Sequence, residues 1–267
     1  NGPGKLFNAT TYLITSPEYH MKRLLAPDSG SIYFLGKVFR DGELSRKHTP
    51  EFTMLEWYRV DYDLFDLIKE VIQIVRLMSQ QDLAVKEYSY LNLFMEKLGI
   101  NPFFATEGEL KHLLIQHNID LAFVPKTKDE YLDLIMSHIL EPSFDPDVIT
   151  VLYSYPASQA SLAKITKDCA GHLIGKRFEI YWKGLELANG YEELTDPIEQ
   201  RARFEKENIL RQEYGLAPVE IDELFLQEMA QMPVLVSGVA MGIDRLLMAV
   251  ENTHTINDVI LFAFEES

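Results

Sequence analysis

Residues 38–59 (VFRDGELSRKHTPEFTMLEWYR) combine three arginines, four acidic residues, one histidine and four aromatic residues. After residue 50 the side chains alternate in character, and this alternation predicts a β-strand. One face of that strand carries Phe52, Met54, Glu56 and Tyr58. A carboxylate on such an apolar face is costly unless it meets a cation. The sequence therefore predicts a positively charged partner for this face.

Two carboxylates in residues 184–194 (GLELANGYEEL) have a spacing that suits cation binding. Glu186 and Glu193 flank Asn189 and Gly190, and we expect the two glutamates to face one another across a turn or bulge. Paired carboxylates bind hard cations such as Mg²⁺ and also organic ammonium groups. The segment predicts a site for one of these two kinds of cation.

Two arginines lie at the edges of predicted strands, Arg40 in the first segment and Arg245 in residues 238–245 (GVAMGIDR). Guanidinium groups bind phosphate oxygens in a bidentate manner. Together with the carboxylates and the rings, these arginines are the residue types that a site for ATP and an amine needs. Structural ion pairs between the same residues are the alternative interpretation.

The elements that must position these residues can be read from periodicity. Strands are predicted at residues 12–14, 32–39, after 50, at 148–153 and within 177–194, and helices at about 17–25, 64–75 and 197–215. A helical insertion is predicted at about 89–140. Strand pairs with intervening helices, without βαβ alternation, favour an α+β fold with an antiparallel sheet. We expect residues 1–267 to form a single catalytic domain.

Composition limits the classes of partner. The chain has 25 Lys and Arg against 41 Asp and Glu, for a formal net charge of −16. Affinity for nucleic acid comes from cations that meet phosphates, so this charge disfavours tRNA. No apolar run approaches the roughly 20 residues of a membrane span, and we expect no membrane partner. The single cysteine, Cys169, excludes a disulfide framework and indicates the cytoplasm; we expect its thiol to be packed.

Several motifs together resemble class II aminoacyl-tRNA synthetases. The pattern FR-x-x-E followed by H-x-P-E-F-T-M-L-E-W-Y (39–58) is similar to their motif 2, and G-x-x-M-G-I-D-R (238–245) is similar to their motif 3. TSPEYHMKRLL (15–25), PASQASLAKI (156–165) and ELANGYEEL (186–194) resemble the lysyl branch, especially its short paralogues that attach lysine or (R)-β-lysine to elongation factor P. The resemblance covers nearly the whole chain and implies an antiparallel sheet flanked by helices.

This resemblance implies a site for ATP and Mg²⁺. Arg40 would hold the α-phosphate and the substrate carboxylate, Arg245 would reach the γ-phosphate, and Phe52 would stack on adenine. Glu186 and Glu193 would lie near Mg²⁺, and Glu186 would also contact ATP. The other positions that match the family's ATP site are Asp41, Gly42, Glu43, His48, Thr49, Leu187 and Gly242.

The resemblance also implies a site for the amino acid. Glu18 would take one amino group of lysine or β-lysine. Tyr58 and Glu193, with Glu56, would enclose the side-chain ammonium, which would then be the cation that the strand face requires. The remaining positions that match the substrate site are Ser16, Pro17, Asn189 and Ala240.

The sequence departs from the family pattern in three places. The motif 2 glutamate usually stands two residues after the arginine, but Gly42 stands there and Glu43 follows it. Thr49 stands where asparagine is common. The region of motif 1, which forms the dimer helix and strand in the family, would precede Asn1. The resemblance nevertheless implies a homodimer.

The implied reaction needs no general base. A substrate carboxylate attacks the α-phosphorus of ATP, and positioning with charge stabilisation carries the catalysis. The acyl group then passes to a lysine amine of elongation factor P. One alternative is the catalytic core of a lysyl-tRNA synthetase, which needs an anticodon-binding domain and usually has glycine at the position of Ala240. The other is a non-catalytic paralogue that acts as a binding or regulatory module, which predicts eroded ATP residues.

Overall fold

A computed structural model describes residues 4–6, 9–26, 29–120 and 123–263. Its strands are β1 (Gly4–Leu6), β2 (Ala9–Thr11), β3 (Ile32–Phe39), β4 (Glu51–Val60), β5 (Val85–Ser89), β6 (Ile149–Pro156), β7 (Ile165–Lys167), β8 (Leu173–Trp182), β9 (Leu185–Glu192) and β10 (Val236–Gly242). Its α-helices are α1 (Glu18–Leu25), α2 (Leu64–Ser79), α3 (Tyr90–Leu98), α4 (Glu107–Gln116), α5 (Lys128–Ile135), α6 (Pro197–Glu213), α7 (Glu223–Met229) and α8 (Ile243–Glu251). This content confirms the α+β prediction.

The chain divides into two compact units, the first comprising Asn1–Asp63 and Glu193–Ser267 and the second Leu64–Glu192. In the first unit β4 lies between β3 and β10, and both pairings are antiparallel. The register of β4 and β10 sets Glu56 opposite Ala240. The expectation of a single catalytic domain stays a prediction.

Helix α1 is held against α7 in the first unit. Met21 and Leu25, one helical turn apart, enter an apolar core that also contains Phe225 and Met229 of α7. At the rim of this core an ion pair joins Arg23 Nε and Glu228 Oε2 at 2.7 Å. The helix that begins within the TSPEYH segment is thereby fixed in orientation, because one of its faces is buried.

The second unit is a sheet in the order β9-β8-β6-β5, with β7 also paired to β8. The pairings are antiparallel except for β5 with β6, which is parallel and departs from the purely antiparallel prediction. Helix α2 buries the apolar residues that the periodicity identified. The predicted helical insertion is confirmed by α3, α4 and α5, and Thr106 forms the capping box of α4.

Two sequence predictions are wrong. Residues 12–14 do not form a strand: β2 ends at Thr11, and Tyr12 and Leu13 are exposed. Ile14 accepts a backbone hydrogen bond from Phe39, which anchors the segment without extending a ladder. Cys169 is exposed rather than packed, because it lies in a turn between β7 and β8.

Within the part of the chain that the structure describes, we find no helix with both the length and the apolar composition needed to cross a lipid bilayer.

Candidate active site

Glu56, a buried residue of β4, accepts hydrogen bonds from two hydroxyl groups. Tyr58 Oη donates a hydrogen bond to Glu56 Oε1 at 2.8 Å, and Ser16 Oγ donates to Glu56 Oε2 at 2.9 Å. Ser16 Oγ also accepts the backbone N–H of Glu18 at 3.0 Å, at the start of α1. Glu56 therefore joins the TSPEYH segment to the strand. Among the described residues, the hydrogen-bond partners of this carboxylate are two hydroxyl groups, and a substrate ammonium as its cation stays a prediction.

The cation of this region is Lys22 of α1. Its Nζ lies 2.6 Å from Glu18 Oε1 and 2.6 Å from Glu193 Oε2, and its side chain is fully buried. Glu193 is also buried, and its backbone N–H donates to the carbonyl of Val236 on β10. We call Glu18, Lys22, Glu56, Tyr58 and Glu193 the carboxylate cluster. Two of its carboxylates, Glu18 and Glu193, thus share the Lys22 ammonium.

Burial perturbs the acids of the carboxylate cluster. It raises the pKa of Glu193 to about 8, although the Lys22 ammonium opposes the rise. Burial, followed by the nearby charge of Glu18, raises the pKa of Glu56 to about 7. Burial likewise raises the pKa of Tyr58 well above its usual value, so the phenol remains a hydrogen-bond donor. Because burial disfavours the ionised forms of Glu56 and Glu193, these two acids gain most from a ligand that brings positive charge.

Neither oxygen of the buried Glu193 carboxylate accepts a hydrogen bond from the described residues. Oε2 is in the ion pair with Lys22, so Oε1 is the oxygen available to a ligand. A buried carboxylate oxygen without a donor is costly, and its presence suits a ligand ammonium. The space beside it depends on Gly238 of β10: a Cβ at this position would approach Glu193 Oε1 to 2.5 Å and the ring of Tyr58 more closely still.

Arg40 lies where β3 leads into the motif 2 loop. Its guanidinium stands over the Phe52 ring, 5.3 Å from the ring centroid, and its Nε donates to the carbonyl of Thr15 at 3.4 Å. Its Nη1 is 3.9 Å from Glu43 Oε1, and the side chain is 41% exposed. Gly42 has a φ of +79°, which explains why glycine stands where the family has glutamate. Arg40 is thus both positioned and accessible.

Arg245 lies in the first turn of α8. Its Nη2 donates to Nε2 of His48, whose Nδ1 is 2.8 Å from Ser45 Oγ. Burial and then the Arg245 guanidinium lower the pKa of His48, so this imidazole is neutral and can accept. Asp244 Oδ2 accepts the backbone N–H of Thr53 at 2.6 Å and so ties α8 to β4. The guanidinium groups of Arg40 and Arg245 supply the positive charge that phosphates require, and the neutral His48 serves as a hydrogen-bond acceptor.

For the other residues of the predicted site in the first unit, the structure gives burial and packing. Pro17 and Thr49 are buried, and Asp41 lies in the exposed turn before Gly42. Ala240 is half-buried on β10. At Gly242 a Cβ would meet the Arg245 side chain only at 3.8 Å, so the packing does not require glycine there.

Strand β4 arranges these residues in order. Phe52, beside Arg40, and Glu56, in the carboxylate cluster, lie on the same face of the strand because they are four residues apart. At the rise of an extended strand this separation is about 13 Å. One face of one strand thus leads from a guanidinium group to carboxylates, an order that suits a ligand with an anionic group at one end and an ammonium at the other.

In the second unit a separate polar network surrounds Glu179 of β8. Its Oε2 accepts from the hydroxyl groups of Tyr155, at 2.5 Å, and Tyr181, while its Oε1 accepts from Arg177 at 2.6 Å. Asn189 Nδ2 lies 3.4 Å from the same oxygen, and Asn189 Oδ1 is buried without a donor among the described residues. Asn189 therefore offers a free acceptor, whereas Glu179 is already satisfied.

Glu186 is half-buried on β9 and lines a cavity of about 430 Å³. The acidic residues that share this cavity are Glu130, Asp133, Glu141 and Glu179. Leu187 is buried, and it is the extra residue of β9 where the register with β8 shifts. Glu186 is thus an accessible carboxylate in a strongly acidic cavity.

The predicted bulge lies at Leu187 of β9, and the turn predicted at Asn189 and Gly190 is wrong. Both residues lie inside the continuous strand β9, where they pair with Glu179 and Phe178 of β8. No turn folds the chain back between Glu186 and the end of β9. Asn-Gly favours a turn only where two strands are joined by a two-residue loop. The loop that joins β8 and β9 is Lys183 and Gly184, and both of these residues have positive φ.

Among the described residues, no three His, Cys, Asp or Glu side chains converge on a metal position. Mg²⁺ commonly uses only one or two carboxylates together with substrate phosphates. Glu186, an oxygen donor open to a cavity, fits that requirement. Glu193 fits it poorly, because its carboxylate already faces the Lys22 ammonium.

Three residues escaped the sequence analysis: Lys22, Glu179 and Gly238. Lys22 stands four residues after Glu18 on a predicted helix, and this spacing is a signal for an ion pair. Glu179 has partners two residues away on each side, Arg177 and Tyr181, and this alternation along β8 is also a local signal. Gly238 carries no signal for its neighbours Tyr58 and Glu193, because they are distant in sequence.

The raised pKa values make a prediction about pH. A raised pKa keeps Glu56 and Glu193 protonated below about 7 and about 8, respectively. An ammonium ligand needs the ionised forms, so its apparent KM should fall as the pH rises from about 6 to about 8.5. Glu18, Lys22 and Tyr58 are the other titratable groups that face them. A KM for the amino acid that is constant or rises over this range in pyrophosphate exchange would contradict the prediction.

The sequence profile of the tRNA synthetases class II (D, K and N) matches residues 2–266. The elongation factor P–(R)-β-lysine ligase of Photorhabdus laumondii is 42% identical over 267 residues, which is 100% of this chain and 81% of that protein. The ligase of the same name from Proteus mirabilis is 43% identical over 262 residues, 98% of this chain and 80% of that protein. That of Sodalis glossinidius is 42% identical over 100% of this chain and 81% of its own. The chain belongs to the class II tRNA synthetase family.

Proposed function

We propose that this protein is an ATP-dependent ligase that activates lysine or (R)-β-lysine as the adenylate and transfers it to a lysine side chain of elongation factor P. The observation that carries the proposal is the carboxylate cluster, in which Glu193 keeps one buried oxygen without a donor among the described residues. The relatives at 42–43% identity are elongation factor P–(R)-β-lysine ligases, which supports the same activity.

In the first step Arg40 holds the substrate carboxylate beside the α-phosphate of ATP. A carboxylate oxygen attacks the α-phosphorus, the bond to the bridging oxygen breaks, and pyrophosphate leaves. The attacking group is already ionised, so no residue has to remove a proton. Arg40 and Arg245 supply the positive charge that stabilises the phosphates in the transition state, and the carboxylate cluster holds the amino groups.

Adenine would stack on Phe52, whose ring already lies beneath the Arg40 guanidinium. The second family position near Mg²⁺, Glu193, is better suited to an ammonium because of its contact with Lys22. Glu186 would hold Mg²⁺ when it is bound, and the metal would neutralise charge on the phosphates.

In the second step a neutral lysine amine of elongation factor P attacks the acyl carbonyl. An amide bond forms, AMP leaves with the electrons of the broken acyl–oxygen bond, and the amine releases a proton. A protein loop demands fewer cations than tRNA, which suits a chain with a net charge of −16. The homodimer and the cytoplasmic location that the family implies are parts of the same proposal.

The test of the proposed activation step is ATP–pyrophosphate exchange with single amino acids. We expect exchange with lysine or (R)-β-lysine and none with amino acids that lack a second ammonium, because the carboxylate cluster selects for it. No exchange with either diamino acid, or equal exchange with norleucine, which has an uncharged side chain, would overturn the proposal.

Ala240 makes a prediction about the choice between the two diamino acids. It is half-buried on β10 opposite Glu56, and its methyl group occupies space that glycine would leave free. Ala240→Gly should improve the use of α-lysine relative to β-lysine by about 1–3 kcal/mol, the range for a methylene-sized change. Ala217→Gly, in an exposed loop, is the control. An unchanged ratio of kcat/KM values would contradict this role for Ala240.

A further inference from the structure

Lys22 is a buried charge that the reaction steps above do not use. Its side chain is completely buried, and lysine is almost never found so unless it is paired. Burial lowers its pKa, but Glu18 and Glu193 more than offset this effect, so the pKa is raised and the residue is an ammonium. For stability alone, apolar residues commonly serve as well as a buried ion pair. Stability alone therefore does not require this buried ammonium.

The geometry of Lys22 connects two carboxylates. The ammonium is 2.6 Å from Glu18 Oε1 and 2.6 Å from Glu193 Oε2, so these two oxygens lie no farther apart than twice that distance. Two carboxylates so close would repel one another without the shared cation. Lys22 therefore fixes the separation between Glu18 and Glu193.

Each of these carboxylates still has capacity for a ligand. Glu193 Oε1 is buried and has no donor among the described residues. The Glu18 side chain is 22% exposed, although one of its oxygens faces Lys22. Both carboxylates can therefore accept an ammonium from a ligand while Lys22 remains in place. Met21 and Leu25, which flank Lys22 on α1, are buried in the apolar core and hold this helix in place.

The two candidate substrates differ in the distance between their ammonium groups. Lysine carries its amino groups on carbons 2 and 6, whereas β-lysine carries them on carbons 3 and 6. The separation is therefore one methylene shorter in β-lysine. Two carboxylates held at a fixed separation can discriminate between lysine and β-lysine. Carboxylates that are free to adjust their separation discriminate less.

We propose that Lys22 is a positioning residue that sets the separation of Glu18 and Glu193, the two carboxylates that receive the substrate's ammonium groups, and so contributes to the choice between 2-amino and 3-amino acids. The inference rests on the proposed function, because it assigns the two ammonium groups to these carboxylates.

The test compares Lys22→Met, which keeps the length of the side chain without its charge, with Lys22→Arg, which keeps the charge in another geometry. Arg23→Met is the matched control: it removes the neighbouring cation of α1, whose partner is Glu228 outside the cluster. The measurements are the KM values for α-lysine, β-lysine and ATP in pyrophosphate exchange, with a thermal melt for each variant.

For Lys22→Met we expect the KM for the preferred diamino acid to rise about tenfold or more, with the KM for ATP within about twofold of wild type. For Lys22→Arg we expect the ratio of the kcat/KM values for β-lysine and α-lysine to change by about threefold or more. Arg23→Met should leave all of these values unchanged.

Equal rises in the KM values for ATP and the amino acid would indicate a structural role and overturn the inference. If Lys22→Met does not fold, Lys22→Arg decides: an unchanged ratio of the two diamino acids overturns the inference. A wild-type protein that exchanges with neither diamino acid would overturn the proposed function and this inference together. An active wild type with unaffected variants would overturn the inference alone.

Discussion

Replacement of Arg245 or Arg40 by alanine is expected to reduce pyrophosphate exchange by about a hundredfold or more while leaving the protein folded. Both guanidinium groups are assigned to phosphate charge, and such contacts strengthen as charge develops in the transition state. Arg245 also donates to His48, and this contact orients it across the loop of motif 2. Arg40 is 41% exposed, so its loss leaves no buried cavity.

Arg201→Ala is the matched control for Arg40. Arg201 is equally exposed, at 41%, and forms a surface ion pair with Glu223. Surface ion pairs contribute little to stability, so this variant should exchange pyrophosphate like the wild type. If Arg40→Ala or Arg245→Ala behaves like the control, the assignment to the phosphates is wrong.

Glu193→Gln is expected to raise the KM for the amino acid by roughly 10- to 150-fold, as for the loss of about 1.5–3 kcal/mol from a hydrogen bond to a charged group. The KM for ATP should change much less. The amide keeps the shape of the carboxylate but loses its charge, so the substrate ammonium loses its partner while the packing against Gly238 is retained.

The control is Glu192→Gln at the preceding position. Glu192 is also buried, and its carboxylate is satisfied by Lys176 at 2.6 Å and Lys164 at 3.5 Å. This variant should leave both KM values close to those of the wild type. If Glu193→Gln raises only the KM for ATP, Glu193 is chiefly a metal ligand and the ammonium site is elsewhere.

Local patterns were sufficient for most of the elements. The spacing of apolar residues predicted α2, and all six of its inward-facing positions are buried. Asp196 before Pro197 predicted the start of α6, and the Asp196 side chain caps that helix. The alternation after residue 50 predicted β4, because one face of a strand repeats every second residue.

The local patterns failed where the deciding contact joins distant parts of the chain. Asn189-Gly190 is a strong turn signal, but pairing with β8 keeps it extended. The Ser16 hydroxyl that donates to Glu56 comes from 40 residues away, and no local pattern indicated this contact. The partnership of Lys22 with Glu193 depends in the same way on the tertiary fold. Motifs identified the residues of the site but not their partners.

We expect the activated amino acid to pass to a protein lysine and not to tRNA. The direct measurement is transfer of radiolabelled β-lysine, in the presence of ATP and Mg²⁺, to elongation factor P and tRNA offered together. We expect the label on elongation factor P in an amide that survives mild base, and almost none on tRNA. Label on tRNA as a base-labile ester would contradict the account, and the chain would then be the core of a lysyl-tRNA synthetase.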